Sequence, residues 1–166
     1  FVQWARTFGA QSAAGSWKIF ELSNPSDKLG QSPLRAPSVF NFFRPGYVPP
    51  NTSLTPSGAT APEFQLVNES TVGGYLNFMQ SVISNGFSSG DVTANYAAEL
   101  SLATDPPALL AHLNLRLAAG AIHPVTLSEL STAVATIAAS NAAGQLNRVR
   151  AAILLVMAAP EYLIQK

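Results

Sequence analysis

From residue 62 onward the apolar positions of this chain recur at intervals of three and four, a spacing that predicts a succession of helices. Pro62 suits the first turn of one, and Glu63 complements its positive end. Asn68 reads as the cap of the next, with Val72, Tyr75, Leu76, Met79 and Val82 on one stripe and Asn85-Gly86 as its end. Gly73-Gly74 inside that helix costs about 1 kcal/mol per glycine relative to alanine, and close packing against a neighbouring helix would explain it. Residues 91–103 predict a short helix through Val92, Tyr96 and Leu100. Asp105-Pro106-Pro107 is a cap followed by prolines, opening a helix that carries Leu109, Leu110, Leu113 and Leu117 and stops at Gly120. Thr126-Leu127-Ser128-Glu129 reads as a capping box for a helix through Leu130, Val134, Ile137 and Ala138. After Asn141–Gly144 a last long helix runs from about Gln145 to Ala158, is broken by Pro160, and ends in a turn reaching Gln165. The short loop between the last two long helices predicts that they pack as a pair.

The amino-terminal third has a different pattern. Phe1, Trp4, Ala5 and Phe8, then Trp17 and Phe20, predict one or two short helices broken near Gly15. Residues 23–61 are proline-rich and mostly loop, with Ser53–Thr60 as the expected flexible tip. Within them, residues 33–47 set Phe40, Phe42, Phe43 and Tyr47 among Pro33, Pro37 and Pro45, with Arg35 and Arg44 close by. The prolines forbid a continuous helix, though a helical turn over Ser38–Phe43 is compatible with them. Four aromatic rings predict an ordered, packed loop rather than a solvated linker. No strand pattern of any length and no internal repeat occurs. The expected fold is therefore all-α. Residues 1–61 would form short helices and a proline- and aromatic-rich clasp near the amino end; residues 62–166 would form an irregular helical bundle, the two together making one domain.

Composition sharpens this picture at two points. Of the 166 residues only 11% are charged, where about 25% is usual. Part of the surface is therefore expected to be covered, by the remainder of a longer parent chain, by a protein partner or by a second copy. An apolar start at Phe1, without an initiator Met or a capping residue, also reads as a fragment. Nine basic and nine acidic residues cancel, and no run of either sign occurs, which argues against nucleic acid and against a polybasic membrane anchor. The longest apolar stretch, residues 151–160, is half of what a membrane span needs. With no cysteine in the chain, disulfides, thiolate metal sites and cysteine nucleophiles are excluded.

Candidate chemistry is sparse. His112 lies beside the leucine stripe of its helix and His123 precedes Pro124; no ligand spacing joins them, so neither a metal nor a cofactor site is expected. Glu63 and Glu69 suit helix starts better than paired acid–base work, and no G-x-S-x-G motif supports a serine nucleophile. Arg44, flanked by Phe42, Phe43 and Tyr47, is the best single candidate, because an arginine stacked on rings can present its fork to a carboxylate, sulfate or phosphate. The same residue serves equally as a structural clamp on Glu63, Glu69 or loop carbonyls. Arg44, Tyr47 and Glu69 are thus the weak candidates for a site, with Asn41 beside them. Trp4, Trp17 and the loop aromatics could line a sugar-binding face, although Trp4, in an apolar-spaced helix, is expected in the core.

The run Gly30-Gln31-Ser32-Pro33, continued by Ala36-Pro37-Ser38-Val39-Phe40-Asn41-Phe42-Phe43-Arg44-Pro45-Gly46-Tyr47, resembles the bacterial "domain of unknown function 1800" family. The likeness extends through Ala61-Pro62-Glu63-Phe64-Gln65 and Asn68-Glu69-Ser70-Thr71, and through Met157-Ala158-Ala159-Pro160-Glu161-Tyr162-Leu163 to Lys166. The resemblance implies a longer parent, of which this chain would be the carboxyl-terminal part, and export from a bacterium. It implies no reaction and no catalytic residues. Two functional expectations follow: a structural or interaction segment of an exported bacterial protein, or part of an extracellular hydrolase or carbohydrate-binding protein acting on a polymer.

Overall fold

The computed structural model describes residues 1–164; the expected turn at Gln165 lies outside them. It is mostly helical. The elements in order are α1 (Val2–Thr7), β1 (Gln11–Ser12), a 3-10 turn (Pro62–Gln65), α2 (Glu69–Asn85), β2 (Val92–Thr93), α3 (Ala97–Leu100), α4 (Pro106–Ala118), α5 (Pro124–Ala135), α6 (Ala142–Ala158) and α7 (Pro160–Leu163). The chain divides into two units, residues 1–18 with 79–166, and residues 19–78. No helix among the described residues is long and apolar enough to cross a membrane.

In the first unit α4 packs on α5 and α6, α5 on α6, α1 on α4, α3 on α6, and α7 on α4 and α6. The leucine stripe of α4 (Leu109, Leu110, Leu113, Leu117) is buried with Val149, Ala152, Ile153, Val156 and Met157 of α6 and Val134 of α5. Trp4 is buried as expected; its indole N–H donates to the Tyr96 hydroxyl at 2.9 Å, and that hydroxyl donates to the Ile83 carbonyl at 3.2 Å. Asp105 caps α4 by accepting from Ala108 N–H at 3.1 Å, and the helix ends on two left-handed residues, Ala119 and Gly120.

Several local expectations give way to tertiary contacts. No second helix follows α1. The backbone turns at Gly9 (φ +54°), and β1 pairs antiparallel with β2, Gln11 opposite Thr93 and Ser12 opposite Val92. Asp91 holds the pairing by accepting from the Ser12 hydroxyl at 2.6 Å and from Ala14 N–H at 2.8 Å. Trp17 and Phe20 are consequently exposed, not on a helix face. The same pairing removes Val92 from the helix expected over 91–103, leaving only α3, whose first N–H, at Ala97, donates to Asn95 Oδ1 at 2.9 Å.

Helix α5 starts two residues before the expected capping box. His123 is its cap, with Pro124 in the first turn, and the Thr126 hydroxyl donates instead to Glu161 of α7 at 2.8 Å. Helix α6 starts three residues early, at Ala142, because Asn141 Oδ1 accepts from Gly144 N–H at 2.8 Å.

In the second unit Asn68 caps the start of α2, accepting from Ser70 and Thr71 N–H at 3.1 Å each. Gly74 is buried against a loop rather than the expected helix: a Cβ there would lie 2.5 Å from the Pro25 carbonyl oxygen. Gly73, next to it, faces open space. The aromatic loop departs furthest from expectation. It runs as successive turns, Ser38 to Asn41, Phe40 to Phe43 and Arg44 to Tyr47, with Asn41 left-handed (φ +63°), so no helical turn forms. A chain of turns gives its side chains no common face. Val39 (93% exposed), Phe40 (59%) and Leu34 point to solvent while Phe42, Phe43 and Tyr47 are half-buried, so the loop is only partly packed.

Candidate functional site

Arg44 and Glu69 are exposed and Tyr47 is half-buried. Arg44 pairs with neither Glu63 nor Glu69 and bonds no loop carbonyl; the ion pair of this segment belongs to Arg35, 2.6 Å from Glu21. That carboxylate accepts from Ser23, which with Arg35 holds its pKa below the usual Glu range. Tyr47 is tied through its backbone, its carbonyl accepting from Ala61 N–H at 2.8 Å. Exposed Asn41, Arg44 and Phe40 therefore share one loop without converging on a cleft.

A buried polar cluster lies elsewhere. Glu99 of α3 is fully buried, and its Oε1 accepts from Arg116 Nη1 at 2.7 Å and from His112 Nε2 at 2.9 Å. Helix α4 supplies both donors four residues apart, one turn along the same face. The other arm of the Arg116 fork reaches the Thr7 carbonyl at the end of α1, and the guanidinium lies 5.7 Å over the Phe8 ring. Phe8 in turn meets Tyr96 edge-on at 5.2 Å. One carboxylate and one guanidinium thus connect α1, α3 and α4. Glu99, Arg116, Arg6 and Thr7 also line an open cleft of about 580 Å³. The second oxygen of Glu99 is shut off from solvent and has no partner, so the cluster presents no free carboxylate oxygen to that cleft.

The residue types explain what such an arrangement does. Burying a carboxylate is costly unless cations and donors meet it, and a forked guanidinium can meet the carboxylate and a helix-end carbonyl together. Its chemistry is a clamp. The sequence contained a signal for it that periodicity alone passes over: Glu99 lies three residues after Tyr96 and one before Leu100, a carboxylate within an apolar stripe, while His112 and Arg116 are spaced one helical turn apart on one face.

A buried cation, Arg148 of α6, has no carboxylate partner among the described residues. It donates through Nη1 to the Ala103 carbonyl at 2.9 Å and through Nε to the Ile137 carbonyl at 2.8 Å, with Nη2 also on Ile137 and on Ala135. Ala135 and Ile137 lie where α5 ends and Ala103 lies in the connection between α3 and α4, so Arg148 closes the α5 terminus and ties it to that connection. No three His, Asp or Glu side chains converge as metal ligands among the described residues.

Comparison with curated proteins and with solved structures gave no match. Over residues 1–164 the chain matches the family described as "Protein of unknown function (DUF1800)", and it belongs to that family.

Proposed function

We propose that this chain is a structural and interaction segment of an exported bacterial protein, working through the surfaces it presents to the remainder of a parent chain or to a protein partner. The observation that carries the reading is the run of exposed apolar side chains Leu34, Val39 and Phe40 in a single loop. Exposed apolar residues scattered singly are ordinary; clustered ones mark contact surfaces. The low charge of the chain supports the same reading. Export is supported by the family resemblance. Arg44 and Tyr47 lie in the same loop and would be part of the contact surface rather than catalysts.

The test is a photo-crosslinking residue at Val39 or Phe40 in the protein as its bacterium makes it, with Ser57 in the polar 51–60 segment as control. A discrete cross-linked product from the loop and none from Ser57 is expected, in an exported fraction. Equal, diffuse labelling from both positions, or recovery in the cytoplasm alone, would overturn the reading. Exposure of the Phe40 and Phe20 rings favours a second reading, stacking on sugar faces of an extracellular polysaccharide. Retardation in polysaccharide-containing gels that Phe40→Ala abolishes would support it.

A further inference from the structure

Arg150 is half-buried in a groove between the last turn of α2, the 93–97 segment and α6. Asn85, Thr93 and Asn95 line one part of it beside Leu100 and Leu146, over a volume of about 440 Å³. A shallower extension of about 180 Å³ continues past Arg150 along α2 and α6. Arg150 borders both parts and is their sole charged residue. It has no ion-pair or hydrogen-bond partner among the described residues, and its Nε is shut off from solvent unsatisfied. The contrast with Arg116 and Arg148, each saturated by carboxylate or carbonyl oxygens, is direct.

We propose that this groove binds a small carboxylate carrying amide and apolar groups, the chemistry shared by an acylated amino acid and the carboxyl end of a peptide. The terminal amino groups of the Arg150 fork, unlike its shielded Nε, are not shut off and carry no acceptor among the described residues, and such a fork meets a carboxylate in two parallel bonds. The neighbouring Asn and Thr side chains suit an amide, and Leu100 with Leu146 suits an aliphatic side chain. The volume falls within the ~300–1,000 Å³ typical of ligand sites. Tyr96 also lines the groove, but its hydroxyl is already engaged with Trp4 and Ile83, so Arg150 is left as the anchor.

The experiment is NMR titration of the isotope-labelled full chain with N-acetyl-leucine, its uncharged N-acetyl-leucine amide, and acetyl-Gly-Gly-Leu. The acid should give saturable shifts at the Arg150 side-chain Nε–H and at residues 85 and 93–97. The amide should bind at least about tenfold more weakly, as should the acid to Arg150→Gln. The Arg150 side chain makes no hydrogen bond or ion pair within the described residues, so that variant should keep the wild-type spectrum away from the groove; Arg150→Lys, which keeps the charge without the fork, should fall between. Tighter binding of the tripeptide assigns the site to polypeptide ends, and equal binding assigns it to small acylated amino acids. Equal affinity for acid and amide, unchanged affinity in Arg150→Gln, or no saturable shift would overturn the proposal.

Discussion

Replacing Glu99 tests whether the α1–α3–α4 junction is held by charge or merely filled by it. The Glu99 side chain is 1% exposed, Arg116 35% and His112 30%. With charge centres roughly 4 Å apart, the attraction is about 4 kcal/mol at an effective dielectric constant of about 20. Water reaching a third of the guanidinium reduces this, so a net coupling of about 1–2 kcal/mol is expected. Glu99→Gln keeps the volume and removes the charge, leaving the Arg116 guanidinium without its carboxylate and relieved in part by solvent; its cost should be about 2–3 kcal/mol, short of the ~3–5 kcal/mol for a fully buried pair. Arg116→Met keeps an aliphatic stem over Phe8 while removing the bonds to Glu99 and Thr7. A double-mutant cycle, with urea unfolding at pH 7 followed by helical circular dichroism, isolates the pairwise term. Because the anion is buried, that term should change little with added salt. A coupling below about 0.3 kcal/mol would refute the clamp and reduce Glu99 to a packed, tolerated charge.

Arg148→Met should destabilise by about 3 kcal/mol, because it strips charged donors from the buried carbonyls of Ala103 and Ile137; Arg148→Lys should recover only part of this in the same unfolding assay. Gly73→Ala should stabilise by up to about 1 kcal/mol, whereas Gly74→Ala should destabilise by about 1–3 kcal/mol despite its better helix propensity, since its Cβ meets the Pro25 carbonyl. Burial pushes the Tyr96 phenol up to about 12 from its ordinary 10.0. Its proton is therefore held more tightly in the folded state. The associated stability is complete below pH 10 and declines from there to about pH 12, by about 2–3 kcal/mol in all. Alkaline unfolding that begins above pH 10, and a phenolate absorbance in which one of the four tyrosines titrates late, would check this; Tyr96→Phe should abolish the late step. Asp91, held below its ordinary value of 3.8 by the Ser12 hydroxyl and then by Ala14 N–H, should release the β1–β2 pairing only as pH falls below that value, seen as loss of amide protection at Ala14.

The aromatic loop and the cluster at Glu99 show the two directions in which a linear reading goes astray. Residues 33–47 stand out by composition, yet composition does not say where rings point, and a succession of turns leaves Phe40 and Val39 in solvent. Glu99 carries only a faint signal in the sequence, one carboxylate of nine acidic residues set in an apolar stripe, yet it sits where α1, α3 and α4 are joined through its charge. Arg35, not Arg44, finds the carboxylate partner in its segment.

What the chain determined by itself is local: the stripes of α2 and α4, the caps at Asn68 and Asp105, the stops at Gly86 and Gly120, and the absence of any disulfide. These rest on contacts within about four residues, where backbone geometry and side-chain type suffice. Tertiary structure alone decided that Arg116 would bridge a carboxylate 17 residues away and a carbonyl 109 residues away. It also decided that Arg148 would close the end of another helix, that Asp91 would hold a strand pairing right after α1, and that the Arg150 side chain would be left with no partner among the described residues. Such pairings depend on which apolar faces bury together, a sum of many small terms that no single position carries.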